Sequence, residues 1–189
     1  MSQPPDGSGE ARVRTFVMLY EAARVSLKEA KAGPVDRHVH CLHCLVDAAF
    51  AFEAYLNHLG PSLIPFWKNV SRLKWRDKLA ITLSHLNLSP DHSRRPFRSV
   101  GAAFAARNLA AHASTERMRF MGRLKRDGED FPVRPQTKLE KMCSLRNAEK
   151  VVEEVGEAIE EMHKASGNSG EGLWWNSETE WSSVSEEMT

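Results

Sequence analysis

Cysteine, tyrosine and long apolar runs are all scarce in this sequence of 189 residues, which contains three cysteines and two tyrosines. Three cysteines are too few for a disulfide-stabilised scaffold. No apolar run approaches the roughly 18–20 residues that span a bilayer, so we expect no transmembrane helix and no membrane partner. The first ten residues, MSQPPDGSGE, lack the basic and apolar regions of a secretory signal. These absences favour a reducing, cytoplasmic setting.

Net charge is also nearly absent, since 26 Lys and Arg offset 25 Asp and Glu to leave +1. The charge is unevenly distributed, however: residues 94–126 contain nine basic residues and one acid, Glu116, which gives +8. Such a basic segment favours a polyanionic ligand, and its alternative interpretation is a solvated basic face. The candidate contacts are the arginines Arg94, Arg95, Arg98, Arg117, Arg119 and Arg123.

Segments that alternate Val, Ile or Thr with polar residues are missing, so we expect no sheet. Apolar residues recur at helical spacing instead. They predict helices over residues 11–32, 36–59 and 71–86, a helix that begins at Pro96, and a last helix that begins at a Thr137–Glu140 capping box. Gly33-Pro34 and Gly60-Pro61 read as stop signals. The fold class is therefore all-α, an antiparallel bundle of about five helices over residues 11–165.

The two ends of the chain have the composition of disordered segments, a leader over residues 1–10 and a tail over residues 166–189. The tail contains five acids, no Lys or Arg, and three of the five tryptophans, Trp174, Trp175 and Trp181. One hypothesis is that this acidic tail partly covers the basic segment. The alternatives are a solubilising tail and a docking peptide for another protein.

Residues 38–44, with the sequence HVHCLHC, contain three His and two Cys. A zinc site would need four ligands at one tetrahedral point, and the only further cysteine is Cys143. The simpler interpretation is a helix whose cysteines pack inward and whose histidines face solvent. We predict no metal and no cofactor, and keep a helical scaffold with zinc at Cys41 and Cys44 as the weakest hypothesis.

Two polar groups interrupt otherwise apolar helical stretches. Glu53 and Asn57 lie four residues apart, on one helix face, and Glu53 is close to the buried side. Arg107, Asn108 and His112 form an R-x4-H pattern in an Ala-rich stretch, where Arg and His need partners. Residues five apart differ by about 140° around a helix, so we expect the helix to end or distort near His112, or Arg107 to reach around it. Glu53 would then orient Arg107.

These segments together resemble the HEPN superfamily (higher eukaryotes and prokaryotes nucleotide-binding domain). An EA-aromatic-LN stretch at residues 53–57, a WR-x-KL stretch at residues 75–79 and an RN-x-x-x-H stretch at residues 107–112 occur in the family's order. The resemblance covers about residues 36–113. Ala113, where many relatives carry Gly, is a small departure.

The resemblance implies an all-α bundle that forms a two-fold homodimer. Many members are metal-independent endoribonucleases, often toxins or defence effectors, and an antitoxin protein is a possible partner. Arg107, Asn108 and His112 would form the catalytic site, with Glu53 and Asn57 in support and RNA as the substrate. His suits both proton transfers in attack by an RNA 2′-hydroxyl, and Arg suits the phosphate. The alternative is an inactive HEPN-like binding module, since some members have lost activity.

Overall fold

The chain is seen in a computed structural model that describes residues 8–119, 123–126, 129–132, 135–168, 172–175 and 177–182. It is mostly helical, which confirms the all-α class, but the described residues form seven helices rather than about five. The helices are α1 (Thr15–Ala32), α2 (Arg37–Leu63), α3 (Trp67–Val70), α4 (Trp75–His85), α5 (Phe97–Ala111), α6 (Lys138–Met142) and α7 (Leu145–Ala165). The strands are β1 (Ser8–Val13), β2 (Arg123–Arg126), β3 (Glu129–Pro132) and β4 (Ser177–Ser182).

Helix α2 is the centre of the bundle, because it packs against α1, α4, α5 and α7. Its inward face is apolar and fully buried at Leu45, Phe52 and Leu56. Its 27 residues, with a mean hydropathy of 1.3 over the best 18-residue window, also make it long and apolar enough to cross a bilayer. Half of that window is buried inside the bundle, and a buried core helix meets the same two criteria.

The predicted stop of α2 at Gly60-Pro61 is wrong, since the helix continues to Leu63. Pro61 costs the hydrogen bond to the carbonyl of Asn57, but Asn57 is exposed and water can reach it. The Ile64 amide donates to the Gly60 carbonyl at 2.9 Å, which closes the last turn. Gly60 has a packing role: a Cβ there would lie 2.3 Å from the Trp67 ring. Gly60 therefore leaves room for the Trp67 ring and does not end the helix.

The capping box predicted at Thr137 is present, with the Glu140 amide donating to Thr137 Oγ1 at 3.1 Å and the Thr137 amide to Glu140 Oε2 at 2.8 Å. It caps only the short α6, because α7 begins separately, with Ser144 Oγ accepting from the Asn147 amide. The predicted helix over residues 71–86 corresponds to α4 alone, while the four-residue α3 lies before it, in a segment with no predicted helix. The division of the last helix into α6 and α7, together with the additional α3, accounts for the larger number of helices.

The expectation of no sheet is wrong in detail, because two small antiparallel ribbons are present. Strand β2 pairs with β3, and β1 pairs with β4 in a register from Ser8 opposite Ser182 to Val13 opposite Ser177. Part of the expected leader and part of the expected tail are therefore paired strands, and α1 begins at Thr15 instead of residue 11. Such pairing uses backbone groups and needs no apolar alternation. Residues 1–7 and 183–189 lie outside the described residues.

The segment before β4 packs on α1 and α7. Leu173 is buried, and the Trp174 ring stacks on Tyr20 with centroids 4.6 Å apart, while its Nε1 donates to Glu160 at 3.1 Å. The Tyr20 hydroxyl donates to the Val152 carbonyl at 2.9 Å, and burial raises the pKa of Tyr20 to about 12. Trp174 thus covers an aromatic surface of α1 and not the basic segment, which gives the hypothesis of a self-masking tail no support from this residue.

We predict that Gly156→Ala destabilises the protein, because a Cβ at this position would lie 2.2 Å from the Tyr20 hydroxyl. Displacing Tyr20 breaks its bond to Val152 and disturbs the Trp174 stack, so the free energy of unfolding should fall by about 1–3 kcal/mol in urea titrations. Gly101→Ala in α5 is the matched control: its Cβ meets nothing closer than 3.9 Å. That control should be neutral or stabilising by up to ~1 kcal/mol, and equal effects of the two changes would contradict the packing argument.

Candidate functional site

Arg107 is the centre of the candidate site and lies on α5, facing α2. Its Nη2 donates to Glu53 Oε2 at 2.8 Å, and its Nη1 donates to Asn108 Oδ1 at 3.2 Å. The small residues Ala103 and Ala106 are buried on α5 and allow the two helices to approach closely. The side chain of Arg107 keeps 25% of its surface exposed. The structure therefore contains the Glu53–Arg107 pair that the sequence predicts, at a solvent-accessible rim.

Glu53 also binds a second cation, which the sequence analysis missed. Lys78 Nζ donates to Glu53 Oε1 at 2.7 Å, and only 3% of the Lys78 side chain is exposed. A lysine so deeply buried needs a carboxylate to remain charged. Lys78 belongs to the WR-x-KL stretch, but nothing in that stretch of the sequence shows that its side chain is buried. One carboxylate on α2 thus joins cations from α4 and α5, which we call the Glu53 triad (Glu53, Lys78 and Arg107).

Two aromatic rings lie close to the guanidinium of Arg107. Its carbon lies 5.3 Å from the centroid of Phe104 and 5.6 Å from that of Phe50. Phe104 is itself stacked on Trp75, with centroids 4.3 Å apart and planes inclined by 6°. Among the described residues, Arg107 Nε has no hydrogen-bond partner. Phe50 is 42% exposed, so an apolar ring lies at the surface directly beside the triad.

His112 lies just past the end of α5, because the helix ends at Ala111 and His112 has φ −120° and ψ 20°. This confirms the expected end of the helix near His112. The His112 amide donates to the Asn108 carbonyl at 3.0 Å, and the side chain is exposed. Within the part of the chain that the structure describes, no hydrogen bond orients its ring. Asn57 is exposed one turn after Glu53 on α2 and has no bond to Arg107.

The predicted polyanion contacts divide into paired and exposed residues. Arg94 binds Glu161 at 2.5 Å and Arg95 binds Glu154 at 3.0 Å, where Glu154 is buried and also accepts from Ser99. Helix α7 brings both acids, so these two arginines have less positive charge to offer a ligand. Arg98, Arg117 and Arg119 are exposed. Arg123 lies in β2, and its side chain is outside the described residues.

The three cysteines are buried, and burial raises the pKa of each thiol. Cys41 and Cys44 face the core of the bundle, while His38 and His43 face solvent. Burial raises the pKa of Cys44 to about 12 and that of Cys143 to about 11. The described residues contain no group of three or more His, Cys, Asp and Glu side chains that would hold a metal ion. The His and Cys side chains do not converge as the zinc hypothesis requires, and the simpler interpretation of residues 38–44 matches the structure.

Comparison with protein-family models, with curated proteins and with solved structures finds no match to this chain.

We predict that Glu53→Ala lowers the free energy of unfolding by about 3–5 kcal/mol, because it leaves the buried Lys78 without a counter-charge. Adding Lys78→Met should recover most of that loss, since a flexible apolar side chain of similar length replaces the unpaired cation. Urea titrations of the two variants provide the test. Lys31→Met is the control, because it removes an exposed pair with Glu149 and should cost less than ~1 kcal/mol. A double variant no more stable than Glu53→Ala would contradict this account of Lys78.

Proposed function

We propose that this protein is a metal-independent endoribonuclease of the HEPN type, cleaving RNA by attack of its own 2′-hydroxyl on the adjacent phosphate. The observation that carries the proposal is the placement of Arg107 and His112 at the exposed end of α5. Arg107 is fixed by the Glu53 triad and two aromatic rings, while His112 stands free just after the last helical turn. A held guanidinium and an accessible imidazole supply two of the groups that this chemistry requires.

In the proposed reaction, an imidazole of His112 removes the proton from the 2′-hydroxyl. The oxygen attacks phosphorus, and the 5′-oxygen leaves with a proton from an acid, giving a 2′,3′-cyclic phosphate and a free 5′-hydroxyl. Arg107 donates to the phosphate oxygens as negative charge accumulates on them. Asn108 accepts from Arg107 and directs its fork of donors. The exposed Arg98, Arg117 and Arg119 supply attraction for the RNA backbone.

We further propose that the site is completed by a second copy of the chain. One protomer offers a single His112, whereas the reaction needs both a base and an acid. A two-fold interface would bring a second His112 and a second Arg107 to one cleft. The exposed ring of Phe50 beside Arg107 supports this arrangement, since it offers apolar surface for a partner to cover. A role as a cytoplasmic toxin or defence effector, controlled by an antitoxin, extends this proposal.

The alternative function is an inactive HEPN-like module that binds RNA or a protein. It is favoured by the engagement of Arg107, whose Nη1 and Nη2 both donate to protein groups. The His112 ring is also unoriented by any side chain in the described ranges. Cleavage and binding are separated by the two experiments that follow.

We expect purified protein to cleave single-stranded RNA in the presence of EDTA, with products that end in 2′,3′-cyclic phosphate. Arg107→Ala and His112→Ala should each lower the rate by at least about 100-fold, the usual scale for losing a general acid-base group or an oxyanion donor. His43→Ala, a change at another exposed histidine, is the matched control and should leave the rate unchanged. Activity that disappears with EDTA would contradict the mechanism, and binding without any cleavage would favour the inactive module.

Mixed dimers test whether two protomers share one site. We expect a dimer of wild-type and His112→Ala chains, purified through two different affinity tags, to be at least about tenfold less active than the wild-type dimer, because base and acid come from both copies. Two independent sites would instead leave half of the activity. Sedimentation that shows only monomer at micromolar concentration would also contradict the shared site.

A further inference from the structure

The surface that carries Glu53 continues along α2 toward its C-terminal end. Glu53, Asn57 and Pro61 are separated by four residues each, which places them on one face of the helix, and Ile64 follows directly after its last residue. Asn57 is about 6 Å from Glu53 along the helix axis and Pro61 is about 12 Å from it, at 1.5 Å per residue. Because α2 runs through Gly60-Pro61 to Leu63, this face extends beyond the site without a break.

This face ends in a groove of about 680 Å³ between the last turns of α2 and helix α3. Its apolar surface comes from the exposed Pro61 and Pro65, above a floor formed by the buried Ile64 and Trp67. The Trp67 ring is held against Gly60, where no Cβ stands in the way. Asn57 stands at the end of the groove that faces Glu53, and Lys68 contributes the only charge in the lining.

Two polar side chains of the groove are available to a ligand, while a third, Ser71, already donates its hydroxyl to the Lys68 carbonyl at 3.1 Å. Asn57 and Lys68 are both exposed, and within the described residues neither side chain has a hydrogen-bond or ion-pair partner. No acid contributes to the lining, in contrast to the α1–α7 groove, where Glu149 and Glu153 face Lys28 and Lys31. The exposed apolar surface of Pro61 and Pro65 suits contact with a base, the Asn57 amide suits the hydrogen-bonding edge of that base, and the unopposed Lys68 cation suits a phosphate.

We infer that this groove is a nucleotide-binding subsite for single-stranded RNA, which receives a base a few nucleotides from the phosphate held at Arg107. Its apolar wall contacts the base, Asn57 donates to and accepts from the base edge, and Lys68 binds a neighbouring phosphate. The inference rests on the proposed function for its ligand. A base must leave a duplex to enter the groove, so the subsite selects single-stranded over double-stranded RNA.

The experiment measures binding in the inactive His112→Ala protein, so that it does not depend on cleavage. Fluorescence anisotropy with a labelled single-stranded RNA gives Kd for that protein and for versions that add Lys68→Glu or Lys28→Glu. Lys68→Glu should weaken binding about tenfold, the loss of one base or phosphate contact. Lys28→Glu makes the same charge change on α1 and should weaken it less than twofold. Equal weakening by both changes, or none by Lys68→Glu, would overturn the inference.

Asn57→Ala tests recognition of the base. With Asn57 intact, the Kd values for homopolymeric A, C, G and U oligonucleotides should differ from base to base. Asn57→Ala should reduce those differences, whereas Lys28→Glu should retain them. Unchanged base preference would overturn the role of Asn57.

If the nuclease proposal alone fails, Lys68→Glu still weakens binding although the wild-type protein cleaves nothing. If the subsite alone fails, Arg107→Ala abolishes cleavage while Lys68→Glu and Asn57→Ala change neither binding nor the pattern of cleavage. A groove that binds a peptide instead of RNA would also leave RNA binding and cleavage unchanged by Lys68→Glu and Asn57→Ala, and would therefore overturn the subsite.

Discussion

The pairing of Glu53 with Lys78 and Arg107 is the interaction on which the rest of the site depends. Lys78 is almost wholly buried, and its Nζ lies 2.7 Å from a carboxylate oxygen of Glu53, which compensates the cost of burying an ammonium group. The other oxygen of the same carboxylate fixes Arg107 at 2.8 Å. Two cations share one anion, so the triad keeps a net positive charge at its exposed edge. Structural and proposed catalytic needs are therefore met by one side chain, which explains a carboxylate at this half-buried position of α2.

Helix α2 makes this arrangement rigid. Its inward face packs fully buried residues such as Phe52 and Leu56 against α1, α5 and α7, and its outward face carries Glu53 and Asn57. The position of the carboxylate is thus set by the core of the whole bundle. Phe104 and Trp75 then fix the guanidinium from the side of α5 and α4. A site built on helices in this way is preorganised more precisely than one built on loops.

Much of this geometry follows from the sequence, and the failures have physical reasons. The end of α5 near His112 and the Glu53–Arg107 pair follow from the 100° step of a helix and from the cost of a buried charge. Lys78 was missed because the sequence does not show which face of a short helix is buried. Gly60 was misread because its purpose, contact with Trp67, depends on a residue in another helix. The β1–β4 ribbon left no signal, since its pairing is between backbone groups from the two ends of the chain.

The charge count of a segment differs from the charge that a ligand meets. Residues 94–126 sum to +8, yet Arg94, Arg95 and Arg107 are paired with acids of α7 and α2, which lie far away in sequence. Lys68, outside that segment, is unpaired among the described residues and lines the groove at the end of α2. The exposed positive charge that remains includes Arg98, Arg117 and Arg119 in that segment and Lys68 on α3. These side chains attract a polyanion without fixing where it binds, whereas Arg107 is held in place by Glu53 and two aromatic rings. The triad, and not the basic segment as a whole, therefore defines the proposed site.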